Sequence, residues 1–118
     1  MPFFQPLDRP SATLWVRANP QSPVLRPCNF TETHPHILAV TYLVQGVIYH
    51  SLIERVENSF YNVIWNGSLF ERTSYQYSSE KALQDALIQF SLFEPPLDDP
   101  IPVCRTDRSG VLDAEDPC

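Results

Sequence analysis

At 118 residues, with 43% hydrophobic and 12% aromatic side chains, the chain has the size and composition of one folded domain with a modest core. This excludes a large multidomain enzyme and a wholly disordered chain, which would be poor in both residue classes. A net charge of −6 and a single lysine, Lys81, oppose a nucleic-acid binder, which needs clustered Lys and Arg to displace phosphate counterions.

All twelve prolines lie outside residues 36–94, which divides the chain into a proline-rich arm (1–35), a core (36–94) and a tail (95–118). The arm holds seven prolines and one short strand signal over 12–17, where Leu14 and Val16 alternate with Thr13 and Trp15. Each proline removes an amide donor and fixes φ, so the arm is expected to run extended over a surface or a sheet edge. Phe3, Phe4, Trp15, Val24, Leu25 and Phe30 supply apolar side chains to pack it onto the core. Gln5, Asp8, Arg9 and three prolines stand in the first ten residues, where a secretory signal would need an unbroken apolar run. No apolar run reaches the roughly 18 residues of a membrane span, so a cytoplasmic protein without membrane contact is expected.

From Ile37 to Val56, Val, Ile, Leu and Tyr dominate, and Leu38, Val40, Tyr42, Val44, Ile48 and Leu52 fall on even positions of an extended chain. The pattern predicts strands over 37–44 and 47–56 with Gly46 at the turn. Thr33, Pro35 and Gly46 would also frame a helix over 35–45, but β-branched and aromatic residues suit a pleated surface better. Asn66-Gly67 then signals a two-residue type I′ turn, which pairs Trp65 with Ser68, Val63 with Phe70 and Tyr61 with Arg72. One hairpin face carries Tyr61, Val63, Trp65 and Phe70, and the other carries Phe60, Ile64 and Leu69, so both faces are apolar. Ser78 or Ser79 caps a helix over about 79–93, whose stripe is Ala82, Leu83, Ala86, Leu87 and Phe90. Pro95-Pro96 ends it.

The tail concentrates the charge. From Glu94 onward seven acids face Arg105 and Arg108, giving −5 and leaving the rest of the chain at −1. It reads as an acidic, partly disordered segment, with Asp98 and Asp99 as candidate contacts to a basic groove on a partner.

Catalytic signatures are weak. His34 and His36 flank Pro35 in an extended segment and point apart, so with Cys28 and His50 they make no preset metal site. Nothing orients Cys28 or His50 as a nucleophile or base. Cys28, Cys104 and Cys118 are odd in number and lack C-x-x-C spacing, so they read as free thiols. The sequons at Asn29 and Asn66 are read as accidental without a secretory signal. Three glycines build no phosphate loop, and no cofactor is implied. The strand aromatics remain, and beside sparse arginines they match the centre of a protein interface.

The sequence therefore predicts an α+β domain: a small, mostly antiparallel sheet of three to five strands with one C-terminal helix on one face. One helix leaves an apolar sheet face to be covered by the arm, a second copy or a partner protein. The expected function is a non-catalytic interaction module, such as an accessory subunit, assembly factor or inhibitor. Its candidate partner-binding residues are Tyr61, Val63, Trp65, Phe70, Arg72, Asp98 and Asp99. The alternative is a small-molecule binder or sensor with a pocket between sheet and helix.

Overall fold

A computed structural model describes residues 3–44, 46–92 and 105–106. Its elements in chain order are α1 (Arg9–Ala18), β1 (Val24–Pro27), β2 (Ile37–Val44), β3 (Val47–Val56), β4 (Ser59–Trp65), β5 (Phe70–Tyr77), α2 (Glu80–Leu92) and β6 (Arg105–Thr106). The strands form one antiparallel sheet in the order β1-β2-β3-β4-β5, so the α+β class predicted from the sequence is the observed one. β2 runs along one edge of β3 from Ile37↔Glu54 to Val44↔Val47. β4 takes the other edge from Leu52 to Val56, and β6 takes it at Tyr49 and His50. Two residues of the acidic tail are thereby tied to the sheet, while the rest of 95–118, including Asp98 and Asp99, lies outside the described residues.

The segment read as a strand over 12–17 is helical. Asp8 caps α1, accepting the Ser11 amide at 2.9 Å through Oδ1, and Pro10 sits in the first turn, where no amide donor is needed. Arg9, Ala12, Thr13 and Val16 are buried at intervals of three and four, and Leu14 is 67% exposed. Leu14 and Val16, two residues apart, thus lie on opposite sides of the helix, the first exposed and the second buried. Asp8→Ala should cost about 1 kcal/mol by loss of the cap. The hydrogen bonds from Ser11 hold the Asp8 carboxyl below its ordinary value of 3.8. Its contribution is complete above the unfolded value and is lost as pH falls through the lower folded one. Melting curves of wild type and variant should therefore converge in acid.

Alternation along the strands divides the core between two faces. On one, Leu38, Val40, Tyr42, Ile53, Phe60 and Tyr77 pack under Leu83 and Leu87 of α2. On the other, Ala12 and Val16 of α1 cover Val24 and Ile48, with Leu7, Trp15 and Leu43 at the rim. The two helices therefore lie on opposite faces. Further along α1's face, Ile37, Leu52 and Val63 pack beneath Cys28, Phe30, Trp65 and Phe70. The even residues of β2 and β3 do not share one face, because Val44 pairs with Val47 across the tight turn. An even residue of β2 then opposes an odd one of β3, which sends Ile48 and Leu52 to the face away from Val40.

The start of α2 follows the Ser79 signal, since its Oγ accepts the Ala82 amide at 3.1 Å. The Phe90 side chain and Pro95-Pro96 lie outside the described residues. The β4–β5 connection is longer than predicted. A type I′ turn needs positive φ at both central residues; Gly67 has φ +98, but the only non-glycine with positive φ among the described residues is Glu57. Instead, Asn66 Oδ1 accepts the amides of Ser68 (2.9 Å) and Leu69 (3.0 Å), building an Asx turn within a four-residue loop, 66–69. Trp65 then pairs with Phe70 and Val63 with Arg72, two residues beyond the expected partners. A shift of two preserves the face of these residues; past an irregularity between Tyr61 and Val63, Tyr61 pairs with Gln76, four residues beyond the expected Arg72.

Candidate functional site

The predicted partner-binding residues of β4 and β5 do share a face, but they are not equivalent. Val63 is 1% exposed and is wedged with Ile37 and Leu52, so it serves the core. Trp65 and Phe70 are half-buried because the loop between β1 and β2 folds over them. Thr31 anchors this loop by donating to the Ile37 carbonyl (2.7 Å) and accepting the Cys28 amide (2.8 Å). Phe30 is thereby held 4.8 Å, centroid to centroid, from both Trp65 and Phe70, and His34 stands 5.3 Å from Phe70. Edge and tilted contacts of this kind add to the area buried. The aromatic face is therefore closed at its centre by the chain itself.

Beyond that lid the face is polar and open. Arg72 donates to Glu54 Oε1 at 2.5 Å and lays its guanidinium 4.4 Å from the Tyr61 ring centroid. The hydrogen bond that Arg72 donates to Glu54 raises the Arg72 pKa above its ordinary value. The Arg72 side chain is 49% exposed, so water screens the pair, and its effect is to hold the Arg72 guanidinium over Tyr61 more than to stabilise the fold. The opposite side of the hairpin tip carries exposed apolar groups: Ile64 is 46% exposed and Leu69 55%. Along the outer side, β5 pairs only with β4 among the described residues, which leaves an eight-residue edge facing outward.

A second constellation escaped the sequence reading. Arg26 (1% exposed) reaches from β1 across β2 to β3 inside α1's face. Its Nε donates to Thr41 Oγ1 (2.8 Å), its Nη2 to His50 Nδ1 (3.1 Å) and its Nη1 to the Pro27 carbonyl (3.3 Å). A guanidinium only donates, so His50 Nδ1 is an acceptor; the Thr41 hydroxyl, 2.9 Å away, donates to it as well. Burial, reinforced by the nearby Arg9, pulls Arg26 below its ordinary value, to about 10. The group remains charged at neutral pH and is buried among its partners, so it is a polar strut of the core. Its partners lie 15 and 24 residues away in sequence, and no local spacing announces them.

An open depression of about 320 Å³ lies between the β3–β4 turn and the start of α2, lined by Arg55, Glu57, Asn58, Phe60, Ser79 and Glu80. Its rim is exposed and charged, with Phe60 at its floor. Among the described residues, no helix is long and apolar enough to cross a membrane. Neither a protein-family model, nor a curated protein, nor a solved structure matches this chain.

Proposed function

We propose that this chain is a non-catalytic protein-interaction module of the cytoplasm, an accessory subunit, assembly factor or inhibitor that docks on a larger protein through its β4–β5 hairpin. The observation that carries this reading is the placement of Ile64 and Leu69, exposed together at the tip of a hairpin whose outer strand pairs with no further strand among the described residues. Apolar side chains beside a sheet-edge strand favour addition of a partner strand, with the edge supplying main-chain hydrogen bonds and the side chains supplying selectivity. Tyr61 and Arg72 fit the rim of such an interface, Trp65 and Phe70 its half-buried support, and Asp98 and Asp99 a second, electrostatic contact.

The small-molecule alternative rests on the depression beside Phe60, whose volume reaches the lower range of ligand sites but whose lining is polar and solvent-facing. Photocrosslinking separates the two. A photoreactive residue at position 69 should capture one recurring protein, and the same residue at the distant, exposed position 14 should not. With that protein purified, Ile64→Glu combined with Leu69→Glu should weaken binding by about tenfold or more, the mark of a hot spot, without lowering the melting temperature. Equal capture from both positions, or unchanged affinity of the double variant, would overturn the docking role of the hairpin.

A further inference from the structure

We propose that Asn66 is a modification site: the hairpin tip converts this side chain by intramolecular deamidation into aspartate or isoaspartate. The reaction is an acyl transfer within two residues. The Gly67 backbone nitrogen attacks Asn66 Cγ and loses its proton, the Cγ–Nδ2 bond breaks, and ammonia leaves with the proton. Water then opens the cyclic imide at either carbonyl, giving aspartate or a backbone that runs through the side-chain carbon. Only water is consumed.

Four features of the tip favour this step. Gly67 has no side chain to obstruct its nitrogen, and at φ +98 a Cβ built there would meet nothing within 4 Å. Asn66 Oδ1 accepts two backbone amides, from Ser68 at 2.9 Å and Leu69 at 3.0 Å. These polarise the carbonyl and stand ready for the negative charge that develops on it, as paired amides do in an oxyanion hole. Asn66 Nδ2, the leaving nitrogen, donates to Glu71 Oε1 at 3.1 Å, which orients the amide. The loop is also exposed, so water for the second step is at hand. Nucleophile and carbonyl sit on adjacent residues, so the encounter is intramolecular.

The other asparagines lack this combination. Asn19 precedes Pro20, which has no N–H to give up; Asn29 precedes Phe30, Asn58 precedes Ser59, and Asn62 is fully buried ahead of the β-branched Val63. The product alters the tip in two ways. A carboxylate replaces the amide that donates to Glu71, so attraction becomes repulsion, and the isoaspartate form adds a methylene to the main chain and dismantles the Asx turn that sets Leu69. If the tip is the docking element, as proposed above, each molecule's docking then has a limited lifetime; the chemistry itself does not depend on that reading.

The full-length chain is incubated at neutral and at mildly basic pH, and each asparagine is followed by peptide mass mapping, with isoaspartate scored by enzymatic methyl transfer. Asn66 should convert about tenfold faster than any other asparagine, and faster at the higher pH, where the Gly67 proton is removed more easily. Gly67→Ala should slow it by a similar factor, although alanine is strained at this φ. Survival of the Asn66 amide while Asn29 or Asn58 converts would overturn the proposal in the wild-type chain alone. Equal rates at position 66 with glycine and with alanine would do so independently.

Discussion

Arg26→Ala should destabilise the fold by about 2–5 kcal/mol, whereas Arg26→Met should stay within about 1 kcal/mol of wild type. Two effects oppose each other at this position. The arginine spans three strands and satisfies the Thr41 hydroxyl, the His50 ring and the Pro27 carbonyl, which favours its presence. It is also a charge at 1% exposure, beside Arg9, with its pKa pulled down to about 10, which signals that the folded state disfavours the charged form. Methionine fills a comparable volume without the charge. It also leaves the Thr41–His50 hydrogen bond in place, because that pair is already 2.9 Å apart and needs no third member. Alanine removes the charge as well but opens a void beneath α1 that a packed sheet cannot close. Guanidinium titrations of the three proteins at neutral pH measure both differences. If methionine proves as costly as alanine, the hydrogen bonds outweigh desolvation and Arg26 is a net stabiliser.

What the sequence revealed follows the range over which its signals act. Strands β2 and β3 were legible to the residue because Val, Ile, Leu and Tyr dominate on either side of Gly46. The α2 stripe was legible because Leu83 and Leu87 recur one turn apart after a capping serine. α1 was missed because prolines were weighed as breakers, although Pro10 occupies the one region of a helix that tolerates it and Asp8 supplied the cap. The Asn66-Gly67 signal located the hairpin but not its register: the Asn66 side chain satisfied two loop amides, and this competed successfully with a tighter turn. Of the candidate site, the face shared by Tyr61, Trp65, Phe70 and Arg72 was correct, since a shift of two residues conserves the face. Its closure by Phe30 and the Arg26–Thr41–His50 strut were invisible, because each depends on contacts between distant segments that no local pattern encodes.

Leu83→Ala and Leu87→Ala should each lower stability by about 2–5 kcal/mol, the range for emptying a buried leucine site. Both side chains are 0% exposed, and together they join α2 to Leu38, Val40, Tyr42, Ile53 and Phe60. A domain of this size is stable by only about 5–15 kcal/mol, so either change is a large fraction of the whole. The two positions lie one turn apart over the same patch of sheet, so their effects should not add. The first truncation loosens the helix, and the second then removes contacts already weakened. The single variants should shift the denaturant midpoint at constant m, because the surface exposed on unfolding is unchanged. The double variant should also lower m, because a helix that has lost its buried stripe leaves the sheet before global unfolding and exposes that face in the native state. An unchanged m in the double variant would mean that α2 and the sheet stand or fall as one cooperative unit. The face beneath the helix would then remain sealed until the whole domain unfolds.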